Sequence, residues 1–430
     1  KRFVCDKCFE IAENNKFFLW HIYFKEVFDK GGFDIVIANP PYIDSESMVN
    51  QGMGELRNIL KKHHSSLEGN WDIYMAFLEF SLAIAKTVIF ITPDKWLSKP
   101  FGKKFRGTRM VERMSAITRA GSRVFENATV DAIITLFINK SNKLSVNEFE
   151  SNNNVVKITN KGCHSIKDLQ DPFIIDYLFA SNIDVILKMD SRTNGRLKDF
   201  AECEGACATS DAYKLQPFIT DNSSPKYHEE YIVINTGTIS KFYNRWGSNP
   251  MKYLGNSYLC PVVKKDDFNT NFGATYIRRA SRPKIVFKGL NLLDACLDKN
   301  AVILPAKSTN VICSEDIELL KFLCGLLNSK LVFYYIKLKY SSSSYCGGIT
   351  FTKDMINYLP VNTEADITPI ADLVNTIVEL KERNPLNDTT TLETKIDRLV
   401  YELYGLTYDE VLIVDPETPI TREEYNNFKF

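Results

Sequence analysis

The sequence of 430 residues contains no apolar run of the roughly 18–20 residues that cross a bilayer. The longest candidate, residues 80–92, is broken by Lys86, so no membrane contact is expected. The first nine residues, KRFVCDKCF, carry charges and two cysteines but no apolar core, and do not read as a secretory signal. Ten cysteines at irregular spacings make no disulfide framework; a reduced, cytoplasmic setting is expected. Cys5-x-x-Cys8 and Cys203-x-x-x-Cys207 lack the matched spacing of a zinc ribbon, so no metal is expected. Net charge is missing too, with 53 basic and 53 acidic side chains, which mildly disfavours a polyanion partner, since phosphate contacts need Lys and Arg. What remains is a globular composition, 44% hydrophobic and 25% charged, in a chain long enough for more than one cored domain.

The charge is unevenly spread. Residues 363–430 hold 15 acidic and 6 basic side chains, a net of −9 that leaves +9 on the rest. Residues 95–123 hold Lys95, Lys99, Lys103, Lys104, Arg106, Arg109, Arg113, Arg119 and Arg123 against the single acid Glu112. A second cluster is Arg278, Arg279, Arg282, Lys284 and Lys288. Either is a candidate phosphate surface, and either is equally a solvated face.

Residues 33–38 (FDIVIA) follow a double glycine and predict a buried strand of a parallel sheet. Residues 71–86 have helical periodicity, and TVIFIT at 87–92 predicts the next buried strand. Pro100 opens a basic helix to about Arg113, and TVDAIITLFI at 129–138 predicts a third strand. This alternation is that of a doubly wound α/β sheet. The polar stretch 141–154 reads as a loop. Short strand-like runs among Gly, Asn and Ser turns over 192–361, with one strong helix at 315–335, predict a separate α+β domain; 363–430 predicts amphipathic helices. The expected division is 1–150, a connecting 151–191, a domain at 192–362 and a helical segment at 363–430.

Asn39-Pro40-Pro41-Tyr42, directly after an apolar strand, is the sharpest chemical signal. The exocyclic amine of adenine is a poor nucleophile because its lone pair is delocalised into the ring. Two acceptors aimed at its N–H bonds would draw it toward a more nucleophilic geometry. The Asn39 side-chain oxygen and the Pro40 carbonyl supply two, and Pro41 stiffens the second. Tyr42 offers a face on which an extruded base stacks, worth roughly 1–3 kcal/mol. The bland reading is a Pro-Pro turn with a packed tyrosine; the position beyond the carboxyl end of a strand favours the functional one.

Gly31–Ile43 (GGFDIVIANPPYI) resembles the catalytic loop of the DNA N6-adenine methyltransferases, and within them the TaqI-like and type IIG restriction–modification group. FFLWHIYFKEVF at 17–28, DIYMAFLE at 72–79 and ITPDKWLS at 91–98 are similar to flanking segments of that group. FENATVDAIITLFI at 125–138 resembles its late motif, which implies that Phe125 contacts the flipped adenine. LLNSK at 326–330, the stretch 351–360 and KIDRLVYELYGLT at 395–407 resemble the specificity domain and C-terminal helix. The resemblance, in gamma-class order, implies part of a Rossmann-like methyltransferase sheet, then an α+β target-recognition domain, then a helical tail. It implies S-adenosylmethionine as methyl donor, double-stranded DNA as substrate, Asn39 with Pro40, Pro41 and Tyr42 as the catalytic loop, and stacking by Tyr42 and Phe125. DNA contacts are expected from Lys99, Lys103, Lys104, Arg106, Arg109, Arg278 and Arg279, with Arg245 as a base reader beside Trp246.

Family members carry a glycine-rich cofactor loop upstream of the catalytic loop, whereas no G-x-G element occurs among the 38 residues before Asn39. The expectation is therefore a fragment, or a chain completed by another polypeptide, inactive alone. The alternatives are a DNA-binding specificity module, or a methyltransferase acting on RNA or on a protein glutamine.

Overall fold

The computed structural model describes residues 18–121, 131–152, 155–166, 169, 171–180, 182–340, 344–345 and 348–427. They form two compact units, Lys1–Ser181 and Asn182–Phe430.

The first unit is built on a six-stranded sheet of β1 (Phe33–Ala38), β2 (Ala85–Pro93), β3 (Met114–Gly121), β4 (Ala132–Phe137), β5 (Lys143–Asn152) and β6 (Val155–Ser165), in the order β1-β2-β4-β3-β5-β6. The crossover from β1 to β2 runs through α1 (Gly54–His63) and α2 (Ile73–Ile84), and the two strands pair in parallel, Val36 with Val88 and Ala38 with Phe90. That half of the sheet matches the expected alternation. The remainder does not. β4 is antiparallel to both β2 and β3, and β5 with β6 forms an antiparallel hairpin. The sheet is therefore mixed rather than doubly wound throughout. β3 follows the basic segment directly, where MSAITRAG gives only a weak alternation. β5 occupies the stretch expected to be a loop: Leu144 and Val146 turn into the core while polar neighbours take the other face. The stretch expected only to connect, 151–191, supplies β6.

β1 was expected to be buried on both faces. It lies at an end of the sheet order, and Ile35 and Ile37 are 58% and 73% exposed. α2, by contrast, is buried along most of its length through Ile73, Tyr74, Met75, Leu78 and Leu82. The expected basic helix at 100–113 forms as broken turns, with Phe105, Arg106 and Met110 buried.

The second unit has two four-stranded sheets. One orders Ile303–Pro305, Glu230–Ile234, Pro261–Lys264 and Thr220–Asp221; the other orders Ala295–Asp298, Lys284–Lys288, Thr309–Cys313 and Cys203–Gly205. An aromatic core of Tyr231, Phe268, Phe272 and Tyr276 fills the first sheet's face. The acidic helical segment packs into this same unit. α3 (Ile317–Asn328) meets α4 (Thr368–Arg383) at Gly325, where an added Cβ would come within 2.5 Å of Ile370. The Tyr404 hydroxyl donates to the Pro360 carbonyl at 2.7 Å, and the Asp397 carboxylate accepts from the Lys330 amide at 2.8 Å. Among the described residues no single helix is long and apolar enough to cross a membrane.

Candidate active site

The carboxyl ends of β1 and β2 lie side by side because the strands are parallel and adjacent. The chain leaves β1 into Asn39-Pro40-Pro41-Tyr42, since neither proline donates to a ladder. Pro40 is buried, Asn39 and Pro41 are exposed, and Tyr42 is half-buried. The Tyr42 hydroxyl donates to the Ile91 carbonyl of β2 at 3.2 Å, and burial raises its pKa. Its ring meets Tyr74 of α2 edge to face, centroids 6.3 Å apart at 78°. The loop is fixed from behind: the Ile43 carbonyl accepts from the Ile73 amide at 2.9 Å, and Asp44 caps the helix Ser45–Asn50 by accepting from the Ser47 amide at 2.7 Å. Phe125 lies outside the described residues.

Three groups near this loop were not singled out from sequence. Asp72 is 7% exposed, and burial raises its carboxyl pKa, with Lys95 opposing. Tyr74 is fully buried, and burial with the neighbouring Asp72 carboxylate raises its hydroxyl pKa. Asp94 follows β2 directly, and burial, with the Asp176 and Asp131 carboxylates adding, pushes its carboxyl up to about 7. The signal was an acid immediately after a strand-ending Pro93, inside a motif noted only for its resemblance. A cavity of about 690 Å³ opens beside Asp72, lined also by Glu68, Asn70, Lys95, Lys99 and Phe101.

The basic segment divides on inspection. Arg106 was expected to meet DNA, but it is 1% exposed and its guanidinium donates to the carbonyls of Trp96, Lys99 and Pro172. It ties the broken turns together and is not available to a phosphate. Gly102 makes room for it: a Cβ there would come within 2.2 Å of the Trp96 carbonyl and 2.8 Å of the Arg106 guanidinium. Arg113 likewise donates to the carbonyls of Ile138, Leu82, Ala85 and Lys86, and Arg119 pairs with Asp176 at 3.0 Å over the Phe179 ring. Lys103 and Lys104 hold solvent-accessible pairs with Asp171 and Glu68 at 3.2 and 2.8 Å, whereas Arg109 reaches the buried Glu79 carboxylate at 3.7 Å. Lys99 is half-buried at the cavity, and burial lowers its pKa.

In the second unit, Arg278 and Arg279 share the Glu204 carboxylate at 2.7 and 2.9 Å. Lys284, from the same expected cluster, is fully buried and pairs with Asp298 at 2.6 Å, so it belongs to the core. Arg245 is exposed. Trp246 donates to the Pro261 carbonyl at 2.8 Å and packs on the Ile232–Val286 cluster, a packing role and not an open reading face. Cys203 is buried and its thiol is raised by burial; Cys207 is raised to about 11 by burial. Cys5 and Cys8 lie outside the described residues.

A model of the Eco57I restriction-modification methylase family matches residues 2–125. The type II restriction enzyme and methyltransferase RM.Eco57I of Escherichia coli is 33% identical over 115 residues, which are 26% of this chain and 11% of that protein. The type IIG restriction endonuclease BpuSI is similar over 90% of this chain and 55% of its own, at 14% identity and a TM-score of 0.33. The type IIL restriction-modification enzyme MmeI, solved in complex with DNA, is similar over 92% of this chain and 57% of its own, at 12% identity and a TM-score of 0.48. The chain thus corresponds to little more than half of those two structures and to a ninth of the curated relative's length. The segment that carries the Asn39–Tyr42 loop is the one that resembles the Eco57I restriction-modification methylases.

Proposed function

We propose that this chain carries the base pocket and the sequence-reading unit of an S-adenosylmethionine-dependent DNA adenine-N6 methyltransferase of the restriction–modification kind. The observation that carries the reading is the Asn39–Tyr42 loop, held at the carboxyl end of β1 by the Tyr42 hydroxyl on Ile91 and by Ile43 on Ile73. A duplex hides the adenine amine, so the base must leave the stack. The exposed Asn39 side chain and the Pro40 carbonyl accept from its two N–H bonds. Tyr42 and Phe125 hold the ring.

S-adenosylmethionine supplies the methyl group in this reading. Among the described residues no glycine-rich turn follows β1 or β2, and the buried polar groups beside the loop are carboxyls and a phenol. They do not fit a cradle for that cofactor.

Phosphates are met by Lys99, Lys103, Lys104 and Arg109 in the first unit. The exposed Lys103 and Lys104 pairs are worth about 0–1 kcal/mol, so a phosphate readily displaces their carboxylate partners. In the second unit the two arginines that share Glu204 retain a net positive charge, and Arg245 presents an exposed fork for a base edge. Residues 192–362 supply the sequence reading.

Extrusion is testable without cofactor. The chain selects its duplex from a random pool, and the target adenine is replaced by 2-aminopurine, whose fluorescence rises on unstacking. The expected result is a rise with the wild-type chain and a smaller one with Tyr42→Ala. No rise at any position of a tightly bound duplex overturns the pocket reading.

A further inference from the structure

In the second unit the helix Lys330–Lys339 begins at Ser329, whose hydroxyl caps it by accepting from the Val332 amide at 3.3 Å. Lys330, Phe333, Tyr334 and Lys337 stand at i, i+3, i+4 and i+7, so they share one face of this helix. The packing of the helix uses other positions: its buried residues are Leu331, Val332, Tyr335, Ile336 and Lys339. The stripe of two lysines and two aromatic rings instead lines a cavity of about 310 Å³, together with Lys241, Leu292 and Leu293. Leu292 is 52% exposed and Phe333 and Tyr334 are half-buried, so the cavity holds apolar surface that the fold leaves open to water.

The acids around the cavity are taken. Asp294 pairs with Lys288 at 2.5 Å, and Asp415 pairs with Lys330 at 2.6 Å. Asp397, which feels Lys241 and Lys330, is buried and accepts from the Lys330 amide at 2.8 Å. Among the described residues Lys241 and Lys337 form no ion pair, and Lys337 is exposed. Two ammoniums without a carboxylate thus share one cavity with two accessible rings.

That combination selects a ligand with two parts. A simple anion would leave the rings and Leu292 wet, and a purely apolar ligand would make no use of the ammoniums. Lysine meets phosphate as a point charge. A nucleic-acid base stacks on phenylalanine or tyrosine whatever its identity. The volume is at the lower end of small-molecule sites, about 300–1,000 Å³, which suits a single nucleotide.

We propose that this cavity is a nucleotide subsite of the second unit: Phe333 and Tyr334 take one unpaired base, and Lys241 and Lys337 take its phosphate. The same chemistry serves a free nucleoside monophosphate and an unpaired nucleotide within a strand. The subsite stands apart from the Asn39–Tyr42 loop and does not depend on the reading of that loop.

Titration calorimetry of the whole chain with dTMP, thymidine and inorganic phosphate tests it. The dTMP should bind with a Kd below about 1 mM, and thymidine and phosphate should each bind at least about 10-fold more weakly. Lys337→Gln should weaken dTMP about 10-fold, the loss of one charged contact, and leave thymidine unchanged. Phe333→Leu should weaken dTMP and thymidine alike by about 5-fold or more, while phosphate is unaffected. Each variant should melt as wild type does; Lys241→Gln, with the same expected effect as Lys337→Gln, replaces a variant that does not. A short single strand of thymidines separates the two sources: binding tighter than dTMP and displaced by dTMP assigns the site to a strand, and binding no tighter than dTMP assigns it to the free nucleotide. No heat with dTMP overturns the proposal, as does dTMP binding no better than phosphate, or dTMP affinity unchanged in well-folded lysine and Phe333 variants.

Discussion

Two basic residues from the expected phosphate surfaces hold the structure instead, and each gives a stability prediction. Removing the Arg106 guanidinium leaves the carbonyls of Trp96, Lys99 and Pro172 without it and opens a void beside Gly102. Arg106→Ala should cost about 2–4 kcal/mol in denaturant unfolding, in the range expected when a buried hydrogen-bond network is broken. At low salt, where the variant stays folded, its salt slope for duplex binding should be that of wild type. A lower slope at unchanged stability would return Arg106 to the DNA surface. Lys284 makes the same point in the second unit. Its ammonium donates to Asp298 and to the Ala280 carbonyl at 2.8 Å, while Asp298 also accepts from the Val302 and Ile303 amides at 3.1 and 2.9 Å. Lys284→Met leaves a buried carboxylate unpaired and should cost about 3–5 kcal/mol. Adding Asp298→Asn should recover most of that loss, and a double variant as unstable as the single one would refute the pairing account. A run of Lys and Arg has the same spelling whether the heads reach water or backbone carbonyls, which is why sequence alone placed Arg106 and Lys284 on the surface.

At the scale of elements, β1, α2 and β2 were legible because each is a strongly apolar run with clear ends, and the Asn39–Tyr42 loop because two prolines forbid anything but an exit from the strand. β3 and the β5–β6 hairpin were not. MSAITRAG and KLSVNEFESN mix polar with apolar residues too irregularly to give an apolar run or a clean alternation, and local spacing says nothing of the long-range partner. The exposure of Ile35 and Ile37 was equally hidden, since an apolar strand reads the same at the edge of a sheet and inside it. The candidate site was half legible. Asn39 through Tyr42 announced themselves, whereas Asp72, Tyr74 and Asp94 matter through burial and mutual contact that only the fold creates. An element-level test follows at Gly325. Gly325→Leu drives a side chain into Ile370 and should weaken the α3–α4 packing by about 1–3 kcal/mol or more, seen in thermal unfolding. An unchanged melting temperature would contradict that contact.

For the whole molecule, the proposal assigns different work to the two units, and salt separates them. Lys104 holds a solvent-accessible pair with Glu68, so Lys104→Ala should barely change stability. It should weaken binding to every duplex alike and reduce the salt slope by about one. Arg245→Ala should instead cost about 1–3 kcal/mol on the selected duplex and nothing on a random one. Uniform weakening by both would assign Arg245 to phosphate.

The central claim is that the Asn39 loop presents an adenine amine for methylation. It is tested most directly by labelled methyl transfer from S-adenosylmethionine to DNA by the enzyme that carries this chain, followed by digestion to nucleosides. The account predicts label in N6-methyladenine alone, and an Asn39→Ala variant slower by about 10²–10³ with duplex affinity retained. Label in another base, or an Asn39→Ala variant turning over at the wild-type rate, would contradict it.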